Sequence, residues 1–389
     1  MPISIKELPG EKLEFQMFVF DELADERISQ GYDVIKVTIG ITELPISSSI
    51  LNVLTQSAHD KDITRLVYPQ GLPQLRTEIA KYYNTAYKVS TSPDNVFVNA
   101  GTSAIFRNLF QLLCPPGCQI LLPKPYYCLY LLSAILAGAD IQFYEIDIHN
   151  RSINLDSFQS KYNPSTTAVV VLNNPGNPLG NVLSSKDVRA INEIVDGNSF
   201  IIHDEMYNNV MFYEPYVSPL TYLESHRDKH IIANGFSKGF RMYTKRIGYA
   251  IVPDQLIEPM RIIQQHTLLT CDPVSQYGAA VALQDFAGPQ ELTLLYRSRA
   301  EYACKTLTGS GCSPIAPEGG FYIALECRDW IEGRNLGSSI ELARDILESV
   351  NVATVPGTDF GLPTCLRLSF CNERFNEAID RLAQYFQMR

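Results

Sequence analysis

Ala168-Val169-Val170-Val171-Leu172 runs without a polar break into Asn173-Asn174-Pro175-Gly176-Asn177-Pro178-Leu179-Gly180. A run of apolar residues cannot alternate between a wet and a dry face. It reads as a strand covered on both sides, the habit of strands in a parallel sheet. The two Asn-Pro units and two glycines that follow make a rigid turn just beyond the strand's carboxyl end.

The same grammar recurs on either side. Val96-Phe97-Val98 leads through Gly101-Thr102-Ser103 into a helix, and Ile120-Leu121-Leu122 ends at Pro123. Ile141-Gln142-Phe143-Tyr144 follows a helix, and Ser199-Phe200-Ile201-Ile202 ends at His203-Asp204-Glu205. Ile231-Ile232-Ala233 ends at Asn234-Gly235-Phe236-Ser237-Lys238-Gly239-Phe240, and Ile247-Gly248-Tyr249-Ala250-Ile251-Val252 ends at Pro253. Seven such strands alternating with helices predict an α/β fold: a large domain whose mostly parallel seven-stranded sheet lies between helices. Before it, apolar Phe15, Phe18, Val19, Leu23 and Ile28 predict an amphipathic helix over roughly 11–30, and Val37 to Gly40 a short strand. After it, a helical stretch through the 280s and 290s, strands at Phe321–Ala324 and Cys365–Phe370, and a last helix from Asn376 to about Met388 predict a smaller α+β domain.

The 389 residues carry a formal net charge of −10. That argues against nucleic acid or an anionic membrane as partner, since both attract basic surfaces. No apolar run approaches the length of a membrane span, and the Met1-Pro-Ile-Ser start lacks a secretion signal. Nine cysteines at scattered spacing suggest no disulfide framework. The expected home is a reducing cytoplasm. Cys114 and Cys118 flank a Pro-Pro-Gly turn with no second pair nearby, so no metal site is expected. His203 has no second histidine at helical spacing, which argues against zinc there.

The polar residues fall at strand ends, where ligands of such sheets bind. Lys238 is one. An ammonium at a buried strand end is costly unless paired, but an amine there is placed to form an imine with an aldehyde. Gly101-Thr102-Ser103 opens a helix, where free N–H groups and the dipole suit a phosphate, although it is equally a good generic cap. Asn177 before a second Pro is more than a turn needs, and its amide can bond a ligand hydroxyl. Asp204 is suited to hold a protonated pyridine nitrogen, and Tyr207 to donate its hydroxyl. Tyr126 and Tyr127 follow Pro125 and offer an aromatic face for a flat ring. Arg246 can fork onto phosphate. Arg367, inside Leu366-Arg367-Leu368, is expensive without an anion and suits a carboxylate.

Together these residues resemble the class I/II aminotransferases of the aspartate aminotransferase superfamily, with the type I pyridoxal phosphate fold. The resemblance covers nearly the whole chain, from Gly40 to the last helix. It implies domains at 1–48, joining the small domain, 49–285 for the cofactor and 286–389. It implies that Lys238 forms the internal aldimine and shuttles the proton, and that Asp204 pairs with the pyridine nitrogen. Tyr207 and Asn177 match the donors to the ring oxygen, and Tyr127, in Pro-x-Tyr-x-x-Tyr, the aromatic on the ring. Gly101, Thr102, Ser237 and Arg246 match the phosphate cradle. Arg367, Gly40 and Asn177 match the substrate side, with Arg367 on the α-carboxylate. Tyr68 matches a tyrosine reaching the other subunit's phosphate, and Thr270 lies near a segment that does likewise, which implies a homodimer with shared sites. The chain departs from the usual pattern at Gly235, where Ser or Thr is common, and at Thr244, often Gly. The implied activity is pyridoxal 5'-phosphate-dependent amino transfer between an L-amino acid and a 2-oxo acid. The alternatives are elimination, cyclisation or oxidation of an amino acid on the same cofactor, or a ligand sensor.

Overall fold

The computed structural model describes residues 14–61, 63, 67–195 and 199–387. The strands, in chain order, are β1 (Ile35–Lys36), β2 (Val96–Asn99), β3 (Gln119–Lys124), β4 (Asp140–Asp147), β5 (Ser152–Ile153), β6 (Thr167–Asn173) and β7 (Phe200–Asp204). They continue with β8 (His230–Gly235), β9 (Gly248–Ile251), β10 (Ser313–Ile315), β11 (Tyr322–Glu326), β12 (Val352–Ala353), β13 (Val355–Pro356) and β14 (Cys365–Ser369).

The large sheet has the order β2-β9-β8-β7-β6-β3-β4-β5. Pairing is parallel from β8 through β7, β6 and β3 to β4, and antiparallel around β9 and between β4 and β5. It therefore has eight strands rather than the expected seven. The eighth, β5, is two residues long, too short to show as an apolar run. Asp147 turns the chain into it by accepting from the backbone N–H of His149 and Asn150 at 2.8 and 2.9 Å.

Alternate residues of the strands feed clusters on opposite faces of the sheet. Val96, Val98, Tyr249 and Ile251 face one cluster with Leu75 and Ile79 of helix Pro73–Ala86. Phe97, Ala250 and Val169 face the other with Ile105 and Leu109 of helix Thr102–Leu113. Period-two side chains on a sheet covered by helices on both faces give this arrangement.

A smaller antiparallel sheet, β10-β11-β14-β13, packs with the helices Ala287–Leu307, Ser339–Val350 and Phe375–Tyr385. The N-terminal segment joins this body, since β1 pairs in parallel with β12. The strand expected at Val37–Gly40 is instead Ile35–Lys36. Val37 still bonds the backbone of Ala353 and Ser369, and the chain leaves the ladder beyond it, where the carbonyls of Thr38 and Gly40 bond side chains, as described below. The first helix runs Gln16–Ser29 and buries Phe20 and Ala24. The anticipated apolar stripe is thus displaced: Phe18 and Ile28 are exposed. Residues 11–13 of that expected helix, and Met388 of the last one, lie outside the described residues.

Candidate active site

Parallel register puts Asn173 beside Asp204 and Asp204 beside Ala233. Three neighbouring strand ends therefore deliver the Asn173–Gly180 turn, the Asp204–Tyr207 turn and the Lys238 loop to one place. β14 brings Arg367 from the small sheet. Between them lies a cavity of about 210 Å³ lined by Gly40, Thr102, Tyr127, Asn177, Asp204, Tyr207, Ser237, Lys238, Arg246 and Arg367, among others.

At one end Arg246 meets the N-terminus of helix Thr102–Leu113. Its Nη1 lies 3.4 Å from Ser237 Oγ and 3.1 Å from the Tyr243 carbonyl. Gly101, at φ +80°, opens that helix without any side-chain cap. A Cβ on Gly101 would sit 2.6 Å from Arg246 Nη2, and one on Gly248 would strike the Gly101–Thr102 backbone at 2.7 Å. Both glycines let backbone and guanidinium crowd together, leaving N–H donors and a cation facing one spot. That is a ready anion cradle.

In the middle, Asp204 is fully buried. Tyr130 donates to its Oδ2 at 2.6 Å and the Met206 N–H to its Oδ1 at 3.2 Å. Burial raises the Asp204 carboxyl to about 6, with these two bonds pulling the other way. A cationic ring nitrogen would supply the counter-charge that it lacks. Asn177 Nδ2 lies 3.4 Å from the Tyr207 hydroxyl, so the two form a pair of polar groups on one wall. Burial also pushes the Tyr207 phenol up, keeping it a neutral donor.

Lys238 Nζ donates to the Gly40 carbonyl at 2.7 Å and lies 3.5 Å from the Tyr322 hydroxyl. At the far end Arg367, only 2% exposed, donates to the Thr38 carbonyl at 2.6 Å. Its Nη1 is 3.5 Å from Asn177 Oδ1, its guanidinium lies 4.1 Å over the Tyr322 ring, and its buried Nε has no partner. Among the described residues, none of Lys238, Arg246 and Arg367 is in an ion pair. A buried guanidinium without a carboxylate is costly, so the Arg367 end calls for an anion, and the cradle at Arg246 offers a place for a second one. A pyridoxal phosphate together with an amino acid fits that description: a phosphate at Arg246, a basic ring nitrogen at Asp204, an aldehyde at Lys238 and a carboxylate at Arg367.

Tyr68 does not line this cavity. Its N–H points to Thr270 Oγ1 at 3.4 Å, and the two residues meet at the surface. Sequence reasoning missed Tyr130 and Tyr322. Tyr130 is the second tyrosine of Pro-x-Tyr-x-x-Tyr, and its i+3 position on a helical turn was the available signal. Tyr322 had none, because its partners are remote in the chain. His203 does find a second histidine: its Nε2 is 2.9 Å from Nδ1 of His230 on the next strand. Cys114 and Cys118 are both buried, and burial raises both thiols. A larger groove, about 870 Å³, opens between helices Pro73–Ala86 and Ala287–Leu307. Its charges are Glu78 and Lys81, 3.7 Å apart, and it holds none of the expected residues.

A profile of the family described as "Aminotransferase class I and II" matches residues 32–386. The aspartate aminotransferase of Thermotoga maritima is 29% identical over 373 residues, 95% of this chain and 96% of that protein. A probable aspartate/prephenate aminotransferase of Aquifex aeolicus is 28% identical, covering 92% of each. The solved Thermotoga maritima aspartate aminotransferase superposes with a TM-score of 0.86 at 28% identity, over 95% of this chain and 96% of that one. The Rhizobium meliloti aspartate aminotransferase, at 23% identity and a TM-score of 0.89 over 98% and 99%, speaks to the fold alone.

Proposed function

The chain belongs to the class I and II aminotransferases, and from that premise we propose how its own residues divide the work. The enzyme is a pyridoxal phosphate-dependent transferase of amino groups between an amino acid and a 2-oxo acid. When bound, the cofactor supplies an aldehyde that condenses with amines and a pyridinium that accepts the electron pair left by a broken Cα–H bond.

Arg246, Ser237 and the N–H groups at Thr102 hold the phosphate, with Gly101 making room. Asp204 keeps the proton on the ring nitrogen, and Tyr130 keeps Asp204 aimed. Asn177 and Tyr207 donate to the ring oxygen, and Tyr127 forms the wall beside the ring. Arg367 binds the substrate α-carboxylate, which orients the Cα–H bond toward Lys238. The Lys238 amine takes that proton and would hold it for return to the former aldehyde carbon, across the intervening nitrogen. The Gly40 carbonyl, which bonds Lys238 Nζ, orients the amine between these tasks. The observation that carries the assignment is Arg367: a buried guanidinium with a free Nε and no carboxylate, facing the lysine.

The enzyme works as a homodimer in the cytoplasm. Tyr68 and Thr270, joined to each other outside their own cavity, reach the partner's phosphate site. No helix among the described residues is long and apolar enough to cross a membrane.

Lys238→Ala tests the central assignment. After borohydride reduction, mass spectrometry of the wild type should find the cofactor's mass on the peptide holding Lys238. The variant should lack it and lose amino transfer by several orders of magnitude. Amino transfer at wild-type rate by Lys238→Ala would overturn the reading.

A further inference from the structure

Strand pairing sets Tyr322 beside the arginine. It pairs with Ser369 across β11 and β14, while Ala324 pairs with Arg367. Residues two apart on a strand share a face, so Tyr322 and Arg367 are diagonal neighbours on one side of the small sheet. The Tyr322 ring is buried, and the guanidinium lies 4.1 Å from its centroid. The Phe360 ring, from the turn Gly357–Phe360, meets the same guanidinium at 4.8 Å. Aromatic faces attract a cation, most strongly where water is excluded. On its edges Arg367 meets the Thr38 carbonyl, Asn177 and the sulfur of Met17, which lines the cavity beside Phe15 and Phe18. Rings that steady the flat face of a guanidinium keep N–H edges available for a carboxylate fork.

The other end of the same side chain serves the lysine. Lys238 Nζ lies 3.5 Å from the Tyr322 hydroxyl and donates to the Gly40 carbonyl at 2.7 Å. That hydroxyl is also the first atom a Cβ on Gly40 would strike, so glycine at 40 lets phenol and amine share one spot. Tyr207 packs edge-on against the Tyr322 ring at 5.9 Å, which helps fix its tilt. Once a donor has displaced it from the cofactor, the Lys238 amine must wait beside the Cα–H bond. Two oxygens face it there, one from Gly40 and one from Tyr322.

We propose that Tyr322 is a positioning residue of the amino-transfer reaction and that its two parts divide the labour. The ring holds Arg367 for the substrate α-carboxylate. The hydroxyl holds the freed Lys238 amine for the proton at Cα. This role presupposes the amino-transfer reading. It joins carboxylate binding and proton transfer in one side chain, through contacts that a single substitution can separate.

The holoenzyme is compared with Tyr322→Phe and Tyr322→Leu, each checked for its fold by thermal unfolding. The donor is the fastest of the standard L-amino acids, found by bleaching of the cofactor's aldehyde-state absorbance. Its α-methyl analogue has no Cα–H bond, so a spectral titration with it reads binding without proton transfer. Tyr322→Phe keeps the ring. It should slow bleaching about 5-fold, the worth of one hydrogen bond, and enlarge the isotope effect of an α-deuterated donor. It should bind the analogue within about 2-fold of wild type. Tyr322→Leu loses the ring too and should bind the analogue about 10-fold more weakly. A Tyr322→Phe enzyme with wild-type rate and isotope effect would overturn the role of the hydroxyl. The role of the ring is overturned if Tyr322→Phe, which retains it, loses the analogue by about 10-fold, or if a folded Tyr322→Leu binds it normally. Should Tyr322→Leu fail to fold, the Phe variant decides both roles alone. Bleaching of the wild type by no amino acid would overturn the amino-transfer reading together with this role.

Discussion

Gly40→Ala is the smallest change that disturbs the lysine and the arginine at once. A Cβ at residue 40 would lie 2.8 Å from Cζ of Tyr322, closer still to its hydroxyl, and 3.0 Å from Lys238 Nζ. Ordinary carbon contacts are about 3.5–4.0 Å, so the Tyr322 ring must withdraw by about 1 Å. It cannot do so freely, being 4% exposed and covered by the Arg367 guanidinium at 4.1 Å. The ring's retreat displaces Arg367, and the methyl pushes Lys238 away from the Gly40 carbonyl. Misplacement of reacting groups by about 1 Å costs about 100-fold in rate, which is about 2.7 kcal/mol. Overpacking costs about 1–3 kcal/mol of stability. Steady-state kinetics with thermal unfolding of the same protein separate the two. The expected result is a fall of about 100-fold in kcat/KM with the fold retained. Tyr322→Phe, made alone and with Gly40→Ala, should recover part of the loss, because it removes the most crowded atom. Gly40→Ala activity within about 3-fold of wild type would refute the steric reasoning.

Three further outcomes follow from the geometry. Arg367→Lys keeps the charge but loses the planar fork, so kcat/KM should drop about 100-fold or more while the cofactor absorbance stays; steady-state kinetics beside a spectrum checks it. Tyr130→Phe removes the 2.6 Å bond that opposes the burial shift on Asp204, so the Asp204 carboxyl should move further up and the pH profile of the apoenzyme's cofactor uptake should move up with it. Burial raises Glu205 to about 7 from an ordinary 4.5, against bonds from Ser218 and Tyr83 at 2.8 Å each. A raised acid binds more protons folded than unfolded, so its contribution to stability is largest below about 4.5 and is lost as pH climbs to about 7. The loss is about 3 kcal/mol, and Glu205→Gln should flatten it in denaturant titrations across that window.

Val169 to Leu172 announced β6 because a strand buried on both faces has no room for polar residues, and the other central strands were legible for the same reason. Asp204, Asn177, Lys238 and Arg367 were legible because each is expensive where it stands, and a residue that is costly to the fold invites a search for its ligand. β1 was read two residues late because Val37 to Ile39 is β-branched, yet beyond Val37 the carbonyls of Thr38 and Gly40 serve side chains instead of a ladder. Phe15 and Phe18 were read as helix core because period alone does not separate a face that meets protein from one that meets a cavity. Phe20 and Ala24 took the core instead. Tyr322 was invisible because its meaning lies in Gly40, Lys238 and Arg367, all distant in sequence and joined only when β11 and β14 pair.

The segment after β1 also acts as a ruler. The Thr38 carbonyl takes Arg367 and the Gly40 carbonyl takes Lys238. Two residues of backbone span at most about 7 Å. The separation between the guanidinium and the amine is therefore gauged by covalent bonds in a third segment, belonging neither to β14, which carries Arg367, nor to the loop after β8, which carries Lys238. Side chains on two different sheets could drift relative to one another as those sheets move. Here both are referred to a single short length of peptide, so an insertion or deletion between residues 38 and 40 would change the calibration of the site without altering any group in it.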